Sequence, residues 1–110
     1  MNAMTENKVI KNYNELKGEC APVFYKEVEK FFAKGVLVLV AGDLDIINVA
    51  LAIQNDEIKQ IQEWINARQV IRVYEKHALN WSKNNEPLMA ITTVPWVLVQ
   101  EISVLEVSDK

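Results

Sequence analysis

The sequence predicts an α+β fold, a small mixed β-sheet packed against helices, and three observations lead there. Residues 35–53, GVLVLVAGDLDIINVALAI, form the densest apolar stretch, broken only by Gly42-Asp43-Leu44-Asp45. Within it Val36-Leu37-Val38-Leu39-Val40 has no polar alternation, so as a strand it must be covered on both faces. Apolar residues at helical spacing recur on either side of this run, and short apolar strand patterns return at 70–73 and 88–102.

Taken in order, residues 5–17 place Val9, Tyr13 and Leu16 at helical spacing, continued by Cys20 and widened by Ile10. Thr5 is the expected N-cap and Gly18 the expected stop, and Pro22 forbids simple continuation. A second helix is predicted over 23–34, with Phe24, Val28, Phe31 and Phe32 on its apolar face and Gly35 ending it. Lys26, Lys30 and Lys34 line another face of that helix. A strand at 36–41 follows at once.

Residues 44–54 read as a short buried helix capped by Asp45. On a helix Asp45, Asn48, Ala52 and Asn55 share one side, whereas Asp45 and Asn48 would face opposite sides of a strand. The β-branched Ile46, Ile47 and Val49, with Gly42-Asp43 as a hairpin turn, keep a strand at 46–53 as the alternative. Asn55-Asp56-Glu57 then open a helix at 56–67 whose predicted core stripe is Ile58, Ile61 and Ile65, widened by Trp64. Val70–Val73 reads as a short strand, and 74–83 as a helix with Tyr74, Ala78 and Trp81 on one side. Asn84–Pro87 is a loop.

Leu88–Thr93 and Trp96–Ile102 read as strands interrupted by Val94-Pro95, where proline implies a bulge or an edge. A tight hairpin and one long bent strand both fit, because valine and proline suit positive-φ turn positions poorly. The predicted order is α-α-β-α-α-β-α-β-β, in a single domain over residues 5–107. Residues 1–4 read as a cloning remnant followed by the start methionine, and 108–110 as a frayed tail.

A chain of 110 residues suits one domain. Its net charge of −3 lacks the basic excess that phosphate neutralisation demands, which argues against nucleic acid as the main partner and makes binding through the lysine stripe the least favoured reading. No apolar run approaches the roughly 20 residues that span a bilayer, and no signal peptide precedes the domain, so no membrane partner is expected. One cysteine and one histidine exclude an internal disulfide and a Cys/His metal cluster. A reducing, cytoplasmic setting without cofactors is the expectation.

The candidate chemistry is sparse. Asp43 and Asp45 form a D-x-D that could hold Mg²⁺ or Mn²⁺, although turn and cap roles already account for both acids. Asp56 and Glu57 would join them only if two helix starts met in space. His77, the single histidine, could act as a general base, yet no nucleophile motif accompanies it. Cys20 paired with His77 would make a thiolate, but Cys20 also continues an apolar stripe. The lysine stripe is diluted by Glu27 and Glu29 and reads as a solvated face. Of the tryptophans, Trp64 and Trp81 sit beside core stripes. Trp96, after Pro95, is the better candidate for a partner-facing or pocket-lining side chain.

Phe31-Phe32-Ala33-Lys34-Gly35, Leu44-Asp45-Ile46, Val49-Ala50, Asp56, Trp64, Trp81 and Pro95-Trp96-Val97-Leu98-Val99-Gln100 together resemble a small bacterial family, domain of unknown function 2288. The resemblance covers about residues 22–101 and implies a shared fold without an assigned activity. In that family an acid is typical where this chain has Asn48, so a reciprocal helix cap by residue 48 is not expected. The functional expectation is a non-catalytic module that binds a protein partner or itself as a homodimer, with Trp96 or the strand beside it in the interface. The rival is a small hydrolase or ligand-binding enzyme with an acidic site around Asp43 and Asp45.

Overall fold

The computed structural model describes residues 10–102, so Thr5, Val9 and both predicted terminal segments lie outside the described residues. The elements are α1 (Tyr13–Glu19), β1 (Ala21–Val23), α2 (Tyr25–Ala33), β2 (Leu37–Val40), α3 (Ile46–Gln54), α4 (Ile58–Asn66), β3 (Val70–Arg72), α5 (Glu75–Asn84), β4 (Leu88–Thr93) and β5 (Trp96–Glu101). The fold is α+β, and the predicted elements come in the predicted order, with the short β1 as an addition. The strands form one mixed sheet in the order β1-β4-β5-β2-β3.

The apolar run at 36–40 becomes β2, which pairs in parallel with β5 and antiparallel with β3. Both sheet faces are covered, as an unalternating run requires. On one face Val38, Val40, Leu98 and Ile91 meet Leu16 of α1, the apolar face of α3, and Trp64 of α4. On the other, Leu37, Val97, Val99, Leu88 and Ala90 meet Tyr25 and Val28 of α2 and Ala78 and Trp81 of α5. Leu98 and Val99 are fully buried, Leu37 and Val40 nearly so. Each such side chain contributes about 1.5–3 kcal/mol of burial.

Residues 46–54 are helical, which settles the choice between helix and strand. Five residues of α3 are buried, including Ala52, which the sequence placed on its polar side. Gly35 adopts φ +77 and turns α2 into β2. Gly18 does not stop α1, which runs through it to Glu19. The helix ends where Ala21–Val23 is captured by β4 as a strand. At its start, Asn12 and Glu15 form reciprocal 2.9 Å bonds between side chain and backbone, a capping box.

Two further expectations are corrected. First, β5 is a central strand between β4 and β2, and no bulge interrupts its register with β4. Val94-Pro95 is a two-residue hairpin turn with a cis peptide bond. Neither Val94 nor Pro95 has a positive φ, so the objection to valine and proline lapses. Second, the isoleucine stripe of α4 is not a core stripe: Ile58 is 71% and Ile65 44% exposed, and no residue of α4 is fully buried. Among the described residues the sheet ends at β3, and none lies beyond it to cover the outer flank of α4.

The two sheet edges differ. In β1, Ala21 and Val23 pair with Ala90 and Leu88, and Pro22 lies between them opposite Met89. The alternation of the β4–β5 hairpin aims Ala90 and Leu88 at β1, so the donor missing from Pro22 is the outward one. β3 carries no proline.

The two glycines of the β2 region separate backbone geometry from space. A Cβ on Gly35 meets only Arg72 Nη1, at 3.9 Å, so Gly35→Ala is penalised by its positive φ alone, about 1–2 kcal/mol. Gly42 has open space and no positive φ, so Gly42→Ala is neutral or slightly stabilising. Denaturant midpoints of the two variants measure the contrast.

Candidate functional site

The parallel β2–β5 pair directs its carboxyl ends toward one rim of the sheet, where α/β proteins commonly place sites. Gln100 organises this rim. Its Nε2 donates to the carbonyls of Ala41 and Leu44, at 2.8 and 2.7 Å, and so fixes the loop between β2 and α3. Beside it a cavity of about 330 Å³ is lined by Leu39, Val40, Ala41, Gly42, Glu101 and Ile102. Its ionisable lining group, Glu101, accepts a 2.8 Å bond from Trp81 Nε1.

The D-x-D acids do not converge on that cavity. Asp45 caps α3, with Oδ1 accepting from the Ile47 N–H at 2.9 Å. Its Oδ2 accepts from the Tyr13 hydroxyl at 2.5 Å, tying α1 to α3, and this bond raises the pKa of the phenol. Asn48 is exposed and supplies no reciprocal cap. Asp43 accepts from Gln69 Nε2 at 3.3 Å, across to the turn before β3. Asp56 adopts φ +56 in the turn between α3 and α4. Among the described residues, no group of three or more His, Cys, Asp or Glu side chains could hold a metal ion.

His77 and Cys20 lie on separate clusters. His77 stands at the start of α5, where its Nδ1 accepts from the Tyr74 N–H at 3.0 Å and so caps the helix. Its ring stacks between Tyr74 and Trp81, with centroids 5.8 and 5.7 Å away. Burial, then the charge of Lys76, lowers its pKa, opposed by Glu101. Cys20 is half-buried against the core on the α3 side, and burial with the nearby Asp45 charge raises its thiol pKa. That direction opposes a thiolate.

Trp96 is half-buried against the same core, and the Arg72 guanidinium lies 5.5 Å from its ring centroid. Pro95 is exposed at the hairpin tip beside Val94, which is 86% exposed. Of the lysine stripe, Lys30 and Lys34 hold Nζ 5.3 and 6.0 Å from the Phe31 centroid. Sequence reasoning missed the role of Gln100. Its signal was a neutral amide, next to Glu101, closing the apolar run Trp96–Val99. It also missed the open flank of α4, which helical periodicity alone cannot tell from a core stripe.

Two predictions follow from this geometry. Asp45→Ala removes a helix cap and costs about 1 kcal/mol of stability, and added Mg²⁺ or Mn²⁺ leaves the melting temperature of the native protein unchanged. A saturable, metal-dependent rise that Asp45→Ala abolishes contradicts the cap role. For His77, the folded pKa lies below the ordinary value, so the unfolded chain takes up the proton first as pH falls. Stability held above about pH 6.5 is therefore lost as pH falls from there through the folded pKa. His77→Gln flattens that part of the profile, and an NMR titration that puts the His77 ring at or above 6.5 contradicts the assignment.

Comparison with known proteins sets this geometry in context. No curated protein matches the chain. An NMR solution structure of PA1075 from Pseudomonas aeruginosa is similar, with 32% identity and a TM-score of 0.74, over 83% of this chain and 84% of that one. Residues 11–101 match the family described as protein of unknown function, DUF2288, and the match takes in every element from α1 to β5. The chain belongs to that family.

Proposed function

We propose that the protein is a non-catalytic module that docks a protein partner, with the outer flank of α4 as its working surface and the cytoplasm as its setting. The observation that carries this reading is the exposure of Ile58 and Ile65, 71% and 44%, on one flank of a helix whose inner side packs on the core. Isolated exposed apolar residues are ordinary, but two isoleucines seven apart on one helix align as anchors. Glu57, Ile58, Lys59, Gln60 and Glu63 line a hollow of about 360 Å³ on the same helix. Lys59, Gln62 and Glu63 are exposed to one side of the two isoleucines, a polar border of the kind that flanks docking patches.

The acidic-site alternative draws less support. Both oxygens of Asp45 are engaged in holding α1 and α3, and Asp43 bonds to Gln69. The thiol and the imidazole belong to opposite faces of the sheet, which removes a Cys–His pair.

The test is a photo-crosslinking residue at position 58 in living cells. The expected result is a discrete protein adduct that Ile65→Ser abolishes. Ile58→Ser/Ile65→Ser itself stays within about 1 kcal/mol of the parent stability, because both side chains are exposed. Absence of any adduct, or a loss of stability typical of core truncation, contradicts the reading.

A further inference from the structure

We infer that the partner is a second copy of this chain, joined edge to edge through β3 about a two-fold axis at Ile71. This rests on the docking reading above and specifies its partner. The argument starts from hydrogen-bond parity. Ala41 donates to Gln69 at 2.8 Å, and Val73 donates to Leu37 at 3.1 Å. The odd-numbered residues of β3 therefore direct their backbone groups at β2, and alternation aims the N–H and C=O of Val70 and Arg72 outward. Val70 is buried through its side chain, which belongs to the core.

A two-fold axis through Ile71 sets Val70 of one copy opposite Arg72 of the other. Both residues have outward backbone groups, so each of the two symmetric pairs exchanges two hydrogen bonds and no group in the register is left over. A one-residue slip would oppose outward groups to inward ones. Ile71, half-buried, meets its own symmetry mate in the close, non-hydrogen-bonded pair. Its side chain lies on the face of its partner Leu39, opposite the face where α4 packs.

The other edge explains why such pairing closes. Pro22 withholds the outward donor of β1, so the sheet extends at β3 alone. Extension at one self-complementary edge gives a closed dimer, whereas two open edges would give a filament. A three-residue strand buries far less than the roughly 800 Å² per partner of a stable interface. The flank of α4, which packs beside β3, supplies the remainder: the axis brings the two copies of α4 together antiparallel, Ile58 toward Ile65. The expected dimer is weak and concentration-dependent.

The experiment uses the full chain from about 1 μM to about 1 mM, the range of weak specific affinities. Sedimentation velocity reads mass, and amide hydrogen exchange by NMR reads the edge. Dimer should form within this range, with Val70 and Arg72 amides gaining protection as concentration rises while Ile71 is protected throughout. Arg72→Pro removes an outward donor, as Pro22 does in β1, together with the guanidinium over Trp96, so Arg72→Ala, which loses the guanidinium and keeps the donor, is its control. Relative to that control Arg72→Pro should shift dimerisation to at least about tenfold higher concentration. If that variant does not fold, Ile58→Lys/Ile65→Lys on the exposed flank of α4 should give the same shift.

Three results overturn the inference. One is a monomer throughout. Another is a dimer that leaves exchange at Val70 and Arg72 unchanged. The third is protection there at every concentration, which means the edge is covered within one chain. A monomer whose position-58 crosslinker captures a different protein removes self-pairing and leaves the docking reading standing. A monomer with no adduct removes both.

Discussion

The parallel pairing of β2 with β5 is the constraint on which the structure depends. Leu37-Val38-Leu39-Val40 and Val97-Leu98-Val99 lie side by side, with the two copies of the Val/Leu alternation feeding both cores. Parallel strands need cover on both faces. That need draws α3 to one side and α2 with α5 to the other. The remaining strands extend the pair outward, β4 and β1 on one flank and β3 on the other.

The run Pro95-Trp96-Val97-Leu98-Val99-Gln100 shows how one segment serves this arrangement. Pro95 closes the hairpin that delivers β5 beside β4. Val97 and Val99 fill one core while Trp96 and Leu98 belong to the other. Gln100 then holds the β2–α3 loop through two carbonyls. That loop positions Asp45 to start α3, and Asp45 in turn holds Tyr13 of α1. Asp45 and His77, which looked like chemistry, thus cap helices, and Asp45 also ties α1 to α3.

Much of the fold was legible because burial on both faces leaves a plain mark: β2 has no polar alternation, and Asp45 before Ile46 is a cap signal that overrode β-branching. What was not legible depended on neighbours. Ala21–Val23 becomes a strand only because β4 offers an edge, and three residues with a central proline carry no periodic signal. Trp96 looked like an edge residue because proline precedes it, yet the sheet order makes β5 central. Ile58, Ile61 and Ile65 have core spacing, but whether a helix flank is covered depends on how many strands lie beneath it. The candidate site shared that limit. His77, Asp45 and Cys20 were recognisable as titratable groups, and only the tertiary arrangement showed each occupied in capping or packing.

Among the described residues β3 is an edge strand, and α4, which packs beside it, carries the exposed Ile58 and Ile65. One sheet edge carries a proline and the other does not, and the helix over the open edge keeps two isoleucines in solvent. The most direct measurement is an isotope-filtered NOE experiment on a mixture of labelled and unlabelled protein, which reports only contacts between molecules. The account predicts intermolecular methyl contacts from Ile71 to Ile71 and from Ile58 to Ile65. Intermolecular contacts confined to Trp96, Val94 or the β1 edge, or none at millimolar concentration, would contradict it.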